Sequence, residues 1–293
     1  GIGLFLALVA LKNAGIIVAN PATLVGLGDL KQPSVILALL GFLMVVVMHQ
    51  FKVRGAIIIS ILAVTAISTV LGYNQFHGVV GQVPSIAPTF MQMDFEGLFT
   101  ASLVGVIFVF FLVDLFDSTG TLVGVSHRAG LLKDGKLPRL KKALFADSTA
   151  IVAGAALGTS STTPYIESSA GVAAGGRTGL TAVVVGIMFL LCLFLAPLAQ
   201  SVPSFATAPA LLFVGVLMIQ GIVHIEWDDI TEAVPAFLTI VFMPFTYSIA
   251  DGIAMGFISY ALIKLLTGKA KTVPYMVWII AVLWALKFVL FGG

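Results

Sequence analysis

The sequence predicts an all-α polytopic membrane protein, and three observations support this prediction. Of the 293 residues, 59% are hydrophobic and only 10% are charged, whereas charged residues make up about a quarter of a soluble domain. Apolar runs of about 20 residues, the length needed to cross a hydrocarbon layer of about 30 Å, recur along the chain. The Lys and Arg residues cluster in a few of the connections between these runs.

Ten apolar runs are candidate spans, and one further segment is ambiguous. In chain order the ten runs cover residues 2–20, 33–50, 54–73, 100–126, 142–158, 159–176, 178–201, 207–225, 231–247 and 248–267. The tail, residues 273–291, carries aromatic residues and Lys287, so it is compatible with a span or with a helix along the interface. The three spans within 2–73 are echoed by three within 207–267, which indicates an internal repeat of the kind found in secondary transporters.

Basic residues predict the orientation in the membrane. The connection 127–142 holds six Lys and Arg residues against the single acidic Asp134, so it is predicted to be cytoplasmic. The connection 74–97 holds no Lys or Arg and is predicted to lie outside. The net charge of +2 gives no indication of a nucleic-acid partner. Cys192 is the single cysteine, so an intrachain disulfide is impossible and no zinc-site spacing is present.

The polar stretch within 159–176 interrupts the pattern of apolar spans. Residues 158–164 are Gly, Thr, Ser and Pro, which predicts an extended segment. Pro164 suits the first turn of a helix, so a short helix is expected over Ile166 to Gly175, with Glu167 near its N-terminus. Irregular backbone at membrane depth occurs where it lines a cavity or is covered by protein, and transporters hold substrates at such half-helix ends. The alternative is a re-entrant loop with a structural Glu167.

A second acidic position lies at the centre of the run 100–126. A carboxylate such as that of Asp114 costs about 2.5 to 3.5 kcal/mol at a helix centre, so it is expected to face a cavity or the interior of the bundle. Asp117 and Ser118 lie three and four residues later and therefore on the same face. The alternative is that one of these Asp residues bonds the neighbouring broken segment without touching a ligand. We assign that role to Asp117 and the ligand-facing role to Asp114.

Other polar residues receive lesser roles. Asp147 is expected to pack or cap, and Asp251 to start a helix. Lys12 is expected either to line a substrate path or to extend its amine to the interface. His127 and His224 lie at span ends, and neither is interpreted as a metal ligand.

One short motif is shared with a class of membrane enzymes. Residues 26–29 spell Gly-Leu-Gly-Asp, a motif that intramembrane aspartyl proteases pair with a second Asp. Asp29 lies in a short loop between Pro21 and Pro33, and no Tyr-Asp pair occurs in the sequence. The chain is therefore not predicted to be an enzyme.

Three segments, residues 114–132, 146–181 and 245–260, resemble the purine permeases of the nucleobase/cation symporter superfamily, in the AzgA-like branch. The resemblance extends over essentially the whole chain. It implies fourteen spans in two inverted seven-span repeats, divided into a core domain and a gate domain. Since the chain opens at Gly1 inside an apolar run, it is expected to supply spans five to fourteen, with the first four missing.

On this resemblance the chain divides into five parts. Residues 1–73 are gate-domain spans five to seven, and 74–99 form an outside loop. Residues 100–201 are core-domain spans eight to eleven, 202–267 are gate-domain spans twelve to fourteen, and 268–293 form an apolar tail.

The implied activity is proton-coupled uptake of hypoxanthine and guanine through the cytoplasmic membrane, if the organism is a bacterium. Adenine or another nucleobase, and an anion transporter of the same fold, are the alternatives. Partners are the purine, protons and the lipid bilayer, with a homodimer allowed, no nucleic acid and no cofactor. The expected binding residues are Glu167, Asp114, Tyr165, Thr163 and Ser168. Proton coupling or support is assigned to Asp114 and Asp117.

Overall fold

The structure is a computed structural model that describes residues 1–53, 55–96, 101–132, 137–165, 168–173 and 175–291. In chain order its elements are α1 (Ile2–Asn13), β1 (Ile17–Asn20), β2 (Leu24–Leu27), α2 (Pro33–Gln50), α3 (Ala56–Val70), α4 (Ala101–Arg128), α5 (Leu140–Leu157), α6 (Ser168–Ala173), α7 (Gly179–Cys192), α8 (Ala196–Gln200), α9 (Ser204–Ile219), α10 (Ile230–Phe245), α11 (Ile249–Leu266) and α12 (Tyr275–Phe291). Short 3-10 turns cover Leu193–Leu195, Gln220–His224 and Ala270–Thr272.

The elements form two compact units, which are described separately. One, the terminal unit, combines Gly1–Val79 with Pro197–Gly293, and the other, the central unit, is Val80–Ala196. Within the described residues, four helical stretches are long and apolar enough to cross a membrane, namely Pro33–Gln50, Gly179–Gln200, Ser204–His224 and Ile249–Leu266. Shorter apolar helices accompany them, so the prediction of a polytopic helical membrane protein is confirmed.

Helix α9 is the centre of the terminal unit and packs against α1, α2 and α3. A Cβ on Gly215 of α9 would lie 2.7 Å from the carbonyl oxygen of Gly3, so the backbones of α9 and α1 touch. A Cβ on Gly41 of α2 would lie 2.9 Å from Cγ2 of Val64 in α3 and 3.0 Å from Cγ of Pro209 in α9. Small residues thus allow the helices to approach closely. In a membrane this close packing drives helix association, because lipid tails are as apolar as the helix surfaces.

The predicted span 2–20 is wrong in its second half. Helix α1 ends at Asn13, and residues 17–20 form β1, which pairs antiparallel with β2 from Ile17 opposite Leu27 to Asn20 opposite Leu24. The Asn20 side chain accepts from the amide of Ala22 at 2.8 Å and so starts the turn. The apolar strand residues continue the composition of the helix, which is why the two elements form a single run in the sequence.

Helices α10 and α11 form an antiparallel hairpin in direct contact. A Cβ on Gly252 would overlap the side chain of Met243, and one on Gly256 would overlap the hydroxyl of Thr239. Helix α12 then packs on α11, and Lys287 near its end pairs with Asp251 in the first turn of α11 at 3.7 Å. Since these helix ends meet, α12 runs antiparallel to α11.

The central unit contains α4, α5, α6 and α7, and α4 packs against both α5 and α6. The connection before α4 is tied to the end of α5, because the amide of Met91 donates to the carbonyl of Ala156 at 2.8 Å. Gly158, which ends α5, has φ of +79°, and a Cβ there would overlap the side chain of Thr89. Only glycine fits this position, where the chain leaves α5 for the broken segment.

Candidate functional site

The broken segment follows α5 in the central unit. The amide of Thr159 donates to the carbonyl of Gly154 at 2.9 Å, which completes the end of α5. Residues 159–165 are neither helix nor strand, and α6 begins at Ser168, whose amide donates to the carbonyl of Tyr165 at 3.1 Å. The predicted non-helical segment followed by a short helix is therefore present, with α6 extending over six residues.

The broken segment contacts the middle of α4 through a side chain. The hydroxyl of Ser161 donates to Oδ1 of Asp114 at 3.4 Å. Asp114 is half-buried, and one helical turn later Ser118 is buried at 1% exposure. Asp114, to which the ligand-facing role is assigned, thus contacts the broken segment, and the contact expected of Asp117 stays a prediction. The side chain of Asp117 lies outside what the structure describes.

The remaining predicted binding residues lie in the broken segment or directly after it. Thr163 is half-buried, Ser168 is exposed at the start of α6, and Tyr165 is 68% exposed. Glu167 and Ile166 lie outside the described residues. The described positions thus offer hydroxyl groups, an aromatic ring and one carboxylate around the break, which is a set suited to hydrogen bonding and stacking.

Asp147 of α5 is a further acidic residue near this site. It is half-buried in α5, which packs against α4. The packing or capping role expected for Asp147 stays a prediction. The signal in the sequence is a carboxylate early in a span, in the run that leads directly into the broken segment.

Polar residues outside the site have other partners. The Nζ of Lys12 lies 4.8 Å above the ring of Tyr247, in the turn between α10 and α11. Asp251 lies in the first turn of α11, where its amide donates to the hydroxyl of Ser248 at 3.2 Å, so Ser248 and not Asp251 caps the helix. His224 ends a 3-10 turn. Across the described part of the chain, no group of three or more His, Cys, Asp or Glu side chains is arranged to hold a metal ion.

Comparison with known proteins adds evidence that is independent of this geometry. Residues 1–255 match the sequence model of a family described as the Permease family. An adenine permease of Escherichia coli K12 is 50% identical over 290 residues, which cover 99% of the chain and 65% of that protein. A guanine/hypoxanthine permease of Bacillus subtilis 168 is 46% identical over 292 residues, 99% of the chain and 66% of that protein. A nucleobase transporter of Paenibacillus larvae is 33% identical over 89% of the chain and 52% of that protein. The chain therefore spans about two thirds of the length of the first two relatives.

Proposed function

The chain belongs to the permease family that its residues 1–255 match, and from this premise we propose that it takes up purine nucleobases by proton symport. It is a multi-pass membrane protein, which in a bacterium resides in the cytoplasmic membrane. The relatives named as adenine, guanine/hypoxanthine and nucleobase transporters support the substrate class. Hypoxanthine and guanine are the proposed substrates. Adenine is the second candidate, because the adenine permease is 50% identical to the chain.

One observation supports the location of the site. Asp114, at the middle of a 28-residue helix, accepts from Ser161 in the non-helical segment before α6. A carboxylate at the middle of a span is costly unless it serves a polar cavity or a partner. Its position beside a break in another span matches the way in which transporters form substrate sites at membrane depth.

We assign different roles to the carboxylates of Glu167 and Asp114, because the sequence places them in different elements. A neutral purine presents adjacent N–H donors, which an ionised carboxylate can accept in a bidentate manner. In this proposal Glu167, which directly precedes α6 in the sequence, holds the purine, since a helix N-terminus favours the charged form of a neighbouring carboxylate. Thr163 and Ser168 add hydrogen bonds, and Tyr165 stacks on the base.

Asp114 is the proposed proton carrier. Its neighbours Val113 and Leu115 are apolar, and the carboxylates of Asp117 and Asp147 are like charges on the same helix and on α5. Apolar surroundings and like charges both favour protonation of one carboxylate in such a group. Asp117 supports the site in this proposal.

We further propose that the terminal unit corresponds to the gate domain and the central unit to the core domain of an inverted-repeat transporter. This proposal is supported by the composition of the units. The terminal unit is formed by the first and last parts of the sequence, and the central unit is the single segment between them. The orientation proposal places Gly81, in the connection 74–97, outside and Arg139, in the connection 127–142, inside. Single cysteines at these positions in a Cys192→Ala background should react with an impermeant thiol reagent from opposite sides, and labelling of both from one side would contradict it.

An uptake panel tests the proposed function. Cells that lack purine permeases and express the complete gene product should accumulate labelled hypoxanthine, and unlabelled guanine should compete. If unlabelled adenine competes and guanine does not, the protein is an adenine permease instead. Competition by sulfate but not by purines would contradict the proposal and would indicate an anion transporter. Proton coupling is tested separately, because a protonophore should then inhibit uptake.

A further inference from the structure

A network of charged side chains joins α10 to α11 at the end of the hairpin where α10 begins and α11 ends. Nζ of Lys264, in the last turn of α11, lies 2.6 Å from Oε1 of Glu232 in the first turn of α10. The same ammonium group donates to Oγ1 of Thr231 at 2.8 Å and lies 5.2 Å from the ring centre of Tyr260. The hydroxyl of Tyr260 donates to Oε1 of Glu232 at 3.3 Å.

The two members of the ion pair differ in burial. The side chain of Lys264 is 5% exposed, whereas that of Glu232 is 35% exposed. A buried ammonium group requires a partner for its charge, and here a carboxylate, a hydroxyl and an aromatic face surround it. Glu232 can regain water if its partner is removed, but Lys264 cannot.

A second, exposed pair extends the network. Lys269 donates to Oδ2 of Asp229 at 3.0 Å, with the lysine side chain 46% exposed. Oγ1 of Thr231 donates to Oδ1 of Asp229 at 2.7 Å, so Thr231 connects the buried pair to the exposed one. Since exposed ion pairs contribute little to stability, the buried pair is expected to dominate.

We propose that Lys264 is a built-in cation that latches α10 to α11, with Glu232 and Thr231 as its oxygen ligands. In the middle of the hairpin, Gly252 and Gly256 already bring the two helices into contact. The latch closes the hairpin at its end, so that α10 and α11 behave as one rigid element. This proposal does not depend on the transported substrate.

Thermal unfolding of the chain in detergent, followed by tryptophan fluorescence, tests the latch. Trp227, Trp278 and Trp284 all lie in the terminal unit, so the signal reports on that unit. Glu232→Met leaves the buried ammonium without its carboxylate and should lower the melting temperature by roughly 6 to 20 °C. Lys264→Met should lower it by less than half as much.

The double variant Lys264→Met/Glu232→Met removes both charges and should melt above Glu232→Met. The matched control is Lys269→Met, which removes the exposed lysine of the same network and should shift the melting temperature by less than about 4 °C. Hydrogen exchange adds a local reading. In Glu232→Met, amides of the first turn of α10 and the last turn of α11 should exchange at least about tenfold faster, while those of α2 stay unchanged.

Three results would overturn the latch. These are a larger loss in Lys264→Met than in Glu232→Met, a double variant no more stable than Glu232→Met, and an exchange increase spread equally over α2. If Glu232→Met does not fold at all, a folded double variant supports the proposal, and an unfolded one contradicts it.

Discussion

Polar side chains are bonded differently in the terminal unit and in the central unit. In the terminal unit, buried polar side chains are bonded within the protein, as Ser60 is to the carbonyl of Gly41 at 2.8 Å and Lys264 is to Glu232. In the central unit, Asp114 is half-buried with a long contact to Ser161, and Tyr165 is mostly exposed. Polar groups of the terminal unit therefore stabilise helix packing, whereas those around the broken segment make fewer contacts within the protein, as the proposed substrate site requires. Substitutions in the two units should therefore affect different measurements.

The largest effect on function is expected at the two central carboxylates in the complete gene product. Glu167→Gln should weaken purine binding about 10- to 100-fold, since a hydrogen bond to a charged group contributes about 1.5 to 3 kcal/mol. Asp114→Asn should keep measurable binding but lose accumulation against a gradient and lose the pH dependence of uptake. Equilibrium binding and proton-driven uptake on both variants separate the roles. Normal binding by Glu167→Gln with no binding by Asp114→Asn at any pH would reverse them.

Next to the loss predicted for Glu232→Met, a further large effect on stability is expected in the terminal unit, at Gly215. A methyl group there would approach the carbonyl oxygen of Gly3 to 2.7 Å, so Gly215→Ala must force α1 and α9 apart at a cost of about 1 to 3 kcal/mol. The matched control is Gly186→Ala in α7, where a methyl group meets nothing within 4 Å and where alanine favours the helix. Thermal unfolding in detergent should show a loss for Gly215→Ala alone. Equal losses in both would mean that α1 and α9 are not in close contact.

Much of the fold was predictable because the length of an apolar run shows whether a helix can cross the membrane. Helix α2 occupies the predicted residues 33–50, and α4 and α5 begin within two residues of their predicted starts. The hairpin of β1 and β2 was missed, since Ile17 and Val18 continue the apolar run of α1 and periodicity cannot distinguish a short strand from a helix end. The break before α6 was found because Gly, Ser, Thr and Pro together cannot form a lipid-facing span.

Candidate site residues could be proposed from the sequence, but the contact between Asp114 and Ser161 could not. A carboxylate within an apolar span is visible in the sequence, so Asp114 could be singled out. Its partner Ser161 is 47 positions away, and the choice between Asp114 and Asp117 depends on how α4 is rotated towards the broken segment. The pairing of Lys264 with Glu232 was missed for the same reason, because it depends on the packing of two separate helices.

A smaller effect is expected at the hydroxyl that meets Asp114. Ser161→Ala removes a donor to the carboxylate, and because the distance of 3.4 Å is long, the cost should lie near the lower end of about 0.5 to 1.5 kcal/mol. Uptake by the complete gene product should therefore show an affinity change of a few-fold with unchanged thermal stability. Ser160→Ala, the neighbouring exposed residue, is the control. A loss of thermal stability in Ser161→Ala would show that this contact stabilises the fold.

The smallest effect is expected at Asp229, in the connection before α10. Hydrogen bonds from Thr231 and then from Lys269 hold the pKa of this carboxyl well below its ordinary value. A lowered pKa in the folded state stabilises the protein above the unfolded pKa near 4, and this contribution is lost as the pH falls below it. Melting temperatures between pH 7 and pH 3 should fall slightly more steeply in the unmodified chain than in Asp229→Asn. Parallel curves for the two would contradict the assignment.

The position of α9 at the centre of the terminal unit has a consequence for biosynthesis. Gly3 and Gly215, which touch in the folded chain, are 212 positions apart in sequence. At a translation rate of about 5 to 20 residues per second, α1 waits in the membrane for roughly 10 to 40 s before α9 is made. Helix α1 therefore packs late, and a nascent chain stopped before Ser204 should leave it open to a protease that cannot cut it in the finished chain. Protection of α1 in such a stalled chain would show that it folds without α9.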